Sequence, residues 1–77
     1  MTITVYSTPT CPFCKQLKAF LKDHDVAFKD IDVSTDQALA QEMIDKSGQM
    51  GVPVLEVDGQ IVVGFDKKKI SELLHIK

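Results

Sequence analysis

The pair Asp58-Gly59, which stands between two short apolar runs, constrains the fold of this chain most strongly. An Asp-Gly pair favours the two-residue turn that joins adjacent antiparallel strands, because both turn residues must adopt positive φ and glycine does so without strain. The flanking runs, 52–57 and 60–63, are rich in valine and isoleucine, as strands are. The sequence therefore predicts a β-hairpin in the C-terminal half.

The N-terminal half predicts two strands joined by a helix. Residues 2–6 alternate apolar and polar side chains, which is typical of a strand. A turn-forming stretch, 7–10, leads to a helix that begins at Cys11, with Pro12 where its missing N–H costs nothing. The predicted inward stripe of this helix is Phe13, Cys14, Leu17, Phe20 and Leu21, and the predicted solvated side is Lys15, Lys18 and Lys22. A second strand is predicted over 26–33.

Two further helices complete the predicted order. Ser34 and Gln37 fit a capping box in which each side chain covers the other's backbone N–H, and the helix after them ends near Ser47-Gly48. A last helix is predicted from Asp66 to His75. The order β-α-β-α-β-β-α predicts an α/β fold with a four-stranded mixed sheet flanked by helices, since a helix joins the first two strands and a tight turn the last two.

Length and charge narrow the class of protein. Seventy-seven residues make a single domain, 1–77, that buries about 60% of its unfolded surface. The net charge of −2 argues against a nucleic-acid partner. No apolar run approaches the roughly 20 residues that span a membrane, and the first residues lack the pattern of a signal peptide. We therefore expect a cytoplasmic monomer that binds neither membranes nor nucleic acid.

Both cysteines lie in the motif C-P-F-C at 11–14. A structural disulfide is disfavoured in a reducing compartment, and so small a loop gains little stability. A zinc site needs four ligands, and only His24 and His75 remain as partners for the pair. The third interpretation is a redox dithiol, because the motif follows a strand and opens a helix inside a βαβ unit. We favour a reversible Cys11–Cys14 disulfide with no bound cofactor and no metal.

The position of the motif assigns a role to each residue. Cys11 is expected at the helix N-terminus, where free N–H groups and the helix dipole stabilise the thiolate that attacks disulfides. Cys14 lies one turn inside, so we expect it to be buried and to resolve the mixed disulfide. Pro12 fixes the loop, and Phe13 is expected to offer an apolar contact beside the sulfurs. Lys15 either adds electrostatic support or is an ordinary solvated lysine.

At these residues the sequence resembles the glutaredoxins, over nearly the whole chain. The matching segments are Tyr6-Ser7-Thr8-x-x-Cys11-Pro12-Phe13-Cys14, Glu42-Met43-Ile44 with Ser47-Gly48, Val52-Pro53, and Gly64 followed by Asp66. The resemblance implies a thioredoxin-like fold, thiol–disulfide exchange with protein disulfides, and a cis Val52-Pro53 bond beside the attacking cysteine. A proline that starts an edge strand is the alternative for Pro53. The implied substrate- or glutathione-binding residues are Val52, Pro53, Gly64, Phe65 and Asp66.

Four positions depart from the glutathione-using members that the sequence resembles. They are Thr8 in place of a lysine or arginine, Gly51 in place of a threonine, Val63 in place of a glycine, and Lys67 in place of an acidic residue. Gly64-Phe65 is closer to the NrdH redoxins, the glutaredoxin-like hydrogen donors of ribonucleotide reductase, which thioredoxin reductase recharges. We therefore expect thioredoxin reductase as electron donor. A glutathione-dependent glutaredoxin and an iron–sulfur cluster-binding glutaredoxin are the alternatives.

At the start of the last helix, Asp66 and the three lysines after it each allow two interpretations. Asp66 either receives the amine of glutathione or caps the helix. Lys67, Lys68 and Lys69 oppose the dipole in the first turn, which the expected fold places beside Cys11. These lysines either attract an acidic protein partner or a glutathione carboxylate, or they form a solvated run on a surface helix. Met50 is expected to line the loop before Val52.

Overall fold

Three helices and four strands make up the computed structural model, which describes residues 2–48 and 51–75. They are β1 (Ile3–Ser7), α1 (Pro12–Asp23), β2 (Lys29–Asp32), α2 (Gln37–Ser47), β3 (Val54–Val57), β4 (Gln60–Val63) and α3 (Lys67–Leu74). The strands form one sheet in the order β2-β1-β3-β4, with β1 parallel to β2 and antiparallel to β3. The predicted order and sheet are thus confirmed, while the expectation for Met50 lies outside the described residues.

The hairpin between β3 and β4 turns at the predicted pair. Asp58 has φ 48° and Gly59 has φ 88°, so both central residues adopt the positive φ that a type I′ turn requires. The turn is also tied to the start of the chain. The Thr2 backbone N–H donates to Oδ1 of Asp58 across 2.6 Å, and the Asp58 N–H donates to the Thr2 carbonyl across 2.9 Å.

The central strand β1 sends buried side chains to both faces of the sheet, because successive residues of a strand point in opposite directions. On one face α1 and α3 pack over a cluster made of Ile3, Val5, Leu17, Leu21, Leu55, Val57, Val62 and Ile70. On the other face Tyr6 packs with Met43 of α2 and with Val54. Helices α1 and α3 therefore lie in one layer on one face of the sheet, and α2 forms the layer on the opposite face.

The second strand is shorter than predicted. Only Lys29–Asp32 pairs with β1, whereas the prediction covered 26–33. The Val26 N–H instead donates to the carbonyl of Leu21 across 2.9 Å, which ties it to the end of α1. Phe28 still packs against the core from outside the strand, so the prediction of its apolar contact holds although its place in the strand does not.

The predicted capping box at the start of α2 is wrong. Oδ1 of Asp36 caps the helix by accepting from the N–H groups of Ala38 and Leu39 across 2.9 and 3.4 Å. Ser34 instead donates its N–H and hydroxyl to Asp32 across 2.8 and 2.6 Å. An ionised carboxylate accepts hydrogen bonds more strongly than a neutral group, and these two bonds lower the pKa of Asp32. Because Ser34 is bonded to Asp32, its side chain does not cap α2.

Candidate active site

The turn after β1 delivers Cys11 to the first position before α1. The Cys11 N–H donates to the Thr8 carbonyl across 3.4 Å, and the Cys11 carbonyl accepts from Lys15 across 3.3 Å. Pro12 is the first residue of the helix, as the sequence predicted. Its missing N–H costs nothing there, and its fixed φ suits a helix. Cys11 is therefore held as the N-cap residue of α1.

The sulfur of Cys11 lies within reach of two backbone groups. The Cys14 N–H donates to Cys11 Sγ across 3.2 Å, so the sulfur takes the place that a serine or aspartate oxygen takes in an ordinary N-cap. On its other side, the Cys11 thiol lies 3.9 Å from the Val52 carbonyl, to which it donates. Cys11 is partly exposed and has a free thiol. A free N–H at a helix N-terminus stabilises negative charge on an acceptor, so this geometry suits a thiolate.

Cys14 faces the protein interior. Its side chain is 0% exposed, and its thiol is free. Burial, together with the hydrogen bond to Cys11, raises the pKa of Cys14 to about 11. Burial has this effect because it penalises the charged thiolate more than the neutral thiol. At neutral pH Cys14 is therefore a protonated thiol one helical turn behind an accessible sulfur.

The loop before β3 and the end of β4 complete one wall of the site. The Val52-Pro53 peptide bond is cis, which confirms what the resemblance implied, and Pro53 is buried. The Gly64 N–H donates to the Pro53 carbonyl across 2.8 Å. Gly64 has φ 78°, a conformation that L side chains rarely adopt. These contacts bring Val52, Pro53 and Gly64 together on the Cys11 side of the sheet.

Phe65 and Asp66 continue from this wall towards α3. The ring of Phe65 packs edge-on against Phe20, with 5.9 Å between their centroids. Oδ1 of Asp66 accepts from the Lys69 N–H across 3.2 Å and caps α3, which is the second of the two interpretations of this residue. Lys67 lies with its Nζ 5.8 Å from the Phe20 ring centroid. Of the three lysines, Lys67 therefore contacts Phe20, which lies further along α1 than the cysteines.

Phe13 does not belong to the inward stripe of α1, contrary to prediction. Its side chain is 59% exposed, whereas Cys14, Leu17 and Leu21 are buried. Phe13 is only the second residue of α1, and it belongs to neither of the two core clusters of the described residues. It forms an exposed apolar residue inside the C-P-F-C motif instead. Lys15 is also exposed.

Lys18 lies inside a polar cluster that the sequence prediction missed, since it placed Lys18 on the solvated side. Its Nζ lies 3.1 Å from Oδ2 of Asp30 and 3.4 Å from Oγ of the buried Ser7. The Ser7 hydroxyl donates to Asp30 across 2.8 Å. This cluster joins β1, α1 and β2 behind the cysteines. The spacing of Lys18 four residues after Cys14 places both on neighbouring positions of one helix face and was the available signal.

Within residues 2–48 and 51–75, no three His, Cys, Asp or Glu side chains are grouped so that they could hold a metal ion. The same part of the chain contains no helix whose length and apolar character would let it span a bilayer.

Comparison with known proteins places this chain in a family. The family model described as Glutaredoxin matches residues 3–62. A relative from Clostridium pasteurianum, an uncharacterised glutaredoxin-like 8.6 kDa protein in the rubredoxin operon, is 47% identical over 73 residues, which cover 95% of this chain and 97% of the relative.

Solved structures show the same fold over nearly the full chain. The thioredoxin-like protein BC3987 superposes with a TM-score of 0.88 and 35% identity, covering 94% of this chain and 99% of that protein. The glutaredoxin-like NrdH-redoxin from Escherichia coli superposes with a TM-score of 0.85 and 25% identity, covering 95% of each chain. The thioredoxin-like fold expected from the resemblance is thus confirmed.

Proposed function

The chain belongs to the glutaredoxin family of thiol–disulfide oxidoreductases, and on this basis we propose that it reduces protein disulfides through Cys11 and Cys14. One observation carries the proposal. An accessible Cys11 sulfur accepts a hydrogen bond at a helix N-terminus, and the buried, protonated Cys14 stands one turn behind it. The two thiols therefore differ in access and in their backbone contacts, as attack and resolution require.

The proposed reaction passes through a mixed disulfide. The Cys11 thiolate attacks one sulfur of the substrate disulfide, so a Cys11–substrate bond forms and the substrate S–S bond breaks. The released substrate thiolate takes up a proton. Cys14 then loses its proton and attacks Cys11 Sγ, which releases the second substrate thiolate. The second substrate thiolate is protonated in turn; two electrons pass from the protein to the substrate, one of the two protons comes from Cys14 and the other from water, and the protein is left with a Cys11–Cys14 disulfide.

Val52, Pro53 and Gly64 are proposed to bind the substrate segment next to Cys11. They lie on one wall of the site, where the Val52 carbonyl approaches the sulfur. The exposed Phe13 ring is proposed to contact apolar groups of the substrate on the helix side of the same sulfur. In this arrangement, Pro12 holds the start of α1 and the substrate lies between the helix N-terminus and the loop.

Thioredoxin reductase is proposed as the electron donor. Thr8, which precedes the N-cap turn, offers no cation for a glutathione carboxylate, and Val63 is an exposed apolar residue where glutathione-using relatives have glycine. The carboxylate of Asp66 is engaged in capping α3. The similar NrdH-redoxin of Escherichia coli has a thioredoxin-like activity profile.

A coupled assay tests the function and its donor together. Reduction of a protein disulfide such as insulin is followed by NADPH consumption, once with thioredoxin reductase and once with glutathione plus glutathione reductase. We expect turnover with thioredoxin reductase, little with glutathione, and none for Cys11→Ser with either donor. Activity with glutathione alone would overturn the donor assignment, and full activity of Cys11→Ser would overturn the site.

A further inference from the structure

A groove runs between the outer side of α1 and β2, on the flank of the helix away from α3. Its volume is about 390 Å³, within the range of sites that accept side chains or small ligands. We call it the α1–β2 groove; it is lined by Lys15, Lys18, Ala19, Lys22, Phe28 and Asp30. None of these residues takes part in the proposed reaction.

The groove is a local positive region on a chain whose net charge is −2. It holds three of the nine lysines, against Asp30 as its one acidic lining residue. That carboxylate is already paired with Lys18 and accepts from the Ser7 hydroxyl. Within residues 2–48 and 51–75, Lys15 and Lys22 form no ion pair. Two unpaired cations thus border the groove, while the partly buried Phe28 ring adds an apolar surface.

The position of the groove links it to the cysteines. Lys15 directly follows Cys14, and Lys22 lies seven residues further along α1, about 10 Å away along the axis. That length matches about three residues of an extended chain. From this arrangement we infer that the α1–β2 groove binds an acidic segment of the disulfide-containing protein partner, within a few residues of the cysteine that Cys11 attacks. The inference rests on the proposed function and extends it to partner choice.

Charge complementarity selects this occupant. Lysines act as separate point charges and lack the planar fork with which arginine grips a phosphate or carboxylate in two bonds. Cations spaced along a helix beside an aromatic surface fit an extended segment that carries several carboxylates and apolar stems. Cations along α1 raise the rate at which an acidic segment makes a productive encounter, and they lower that rate for a basic segment.

Two synthetic peptides test the inference. Both carry the same intramolecular disulfide, and they differ only in having two glutamates or two glutamines on each side of it. The rate at which the reduced protein reduces each peptide is measured at low and at high ionic strength. We expect the acidic peptide to react about tenfold faster at low ionic strength, and this advantage to shrink with added salt.

Matched variants locate the effect. Lys22→Glu removes a groove cation far from the cysteines, and the double variant Gln37→Glu/Ala38→Glu makes the same charge change on exposed positions of α2, in the opposite layer. We expect the acidic advantage to fall below about threefold in Lys22→Glu and to persist in the α2 variant, with equal rates for the glutamine peptide. Equal rates for the two peptides in the wild type, or an advantage that survives Lys22→Glu, would overturn the inference.

A binding measurement separates failure of this inference from failure of the proposed function. The ¹⁵N-labelled double variant Cys11→Ser/Cys14→Ser, which cannot react, is titrated with the acidic peptide in its reduced form. We expect amide shifts at Lys15, Lys22 and Phe28. Shifts confined to residues 67–69 of α3 would overturn the groove while leaving the redox role intact. Failure of the wild type to reduce either peptide, with the shifts present, would overturn the redox role alone.

Discussion

The Cys14 backbone N–H donates a hydrogen bond to Cys11 Sγ across 3.2 Å, so the sulfur of one cysteine caps the helix on the N–H of the other. The same helical turn that places this N–H buries the Cys14 side chain completely. Backbone geometry therefore distinguishes the two thiols, because it directs an N–H of the helix N-terminus at the Cys11 sulfur and withholds solvent from Cys14.

Alkylation at neutral pH should modify Cys11 alone. Since the pKa of Cys14 is about 11, only about one Cys14 in ten thousand is a thiolate at pH 7, and its side chain is buried. Reduced protein treated briefly with iodoacetamide should gain one adduct, which peptide mapping locates at Cys11, and a second adduct only after denaturation. Cys14→Ser should be alkylated as fast as the wild type. Equal labelling of both cysteines in the folded protein would contradict this division.

The stability of the reduced protein should fall above pH 9 in a way that depends on Cys14. Its pKa is about 11 when folded against 9.0 as the ordinary value, so the folded state holds the proton more tightly. The resulting stability is fully present below about pH 9 and is lost as the pH rises towards 11. Urea unfolding of wild type and Cys14→Ala should show an extra loss on the order of 1–3 kcal/mol in the wild type across this window. Parallel pH profiles would count against the raised pKa.

The cap of α2 should depend on Asp36 and not on Ser34. Replacing Asp36 with alanine removes the acceptor of the Ala38 and Leu39 N–H groups and should lower the free energy of unfolding by about 1 kcal/mol. Ser34→Ala, which loses only an exposed bond to Asp32, should cost less than about 0.5 kcal/mol. Chemical denaturation of both variants makes the comparison. The reverse ranking would restore the capping box that the sequence suggested.

A cation at position 8 should improve the use of glutathione. Thr8→Lys supplies the positive charge that glutathione-using relatives carry before the first cysteine, so the KM for glutathione in the coupled assay should fall about threefold or more, most clearly at low salt. Thr10→Lys adds the same charge at an exposed position two residues on and serves as the control. A KM that is unchanged in Thr8→Lys, or lowered equally in both variants, would show that Thr8 does not limit the use of glutathione.

Local patterns predicted the order of the elements and a mixed four-stranded sheet, whereas the thioredoxin-like fold was implied by the resemblance to glutaredoxins. Asp58-Gly59 set the hairpin, Pro12 marked the start of α1, and the helix between the first two strands required them to be parallel. Each of these signals acts between neighbours in the sequence. The order of elements and the position of Cys11 follow from them.

Two of the outcomes that the sequence did not predict, at Lys18 and Phe13, depend on how α1 packs against the rest of the fold. Lys18 is drawn from solvent by Asp30 and Ser7, which lie on other elements of the fold. Phe13 is apolar like a core residue, but no core cluster of the described residues includes it, and its side chain is exposed. Such outcomes depend on how α1 lies against β1 and β2. The spacing of Lys18 four residues after Cys14 indicates a shared helix face, but it does not identify Asp30 and Ser7 as the partners.

The central claim is that Cys11 attacks and Cys14 resolves, and a trapped intermediate tests it most directly. Cys14→Ser protein is mixed with a disulfide substrate, quenched with acid, and examined by mass spectrometry with peptide mapping. We expect a stable substrate adduct on Cys11 in Cys14→Ser. The adduct should be absent from the wild type, which should instead hold an internal disulfide, and absent from Cys11→Ser. An adduct on Cys14 in Cys11→Ser, or no adduct on Cys11 in Cys14→Ser, would contradict it.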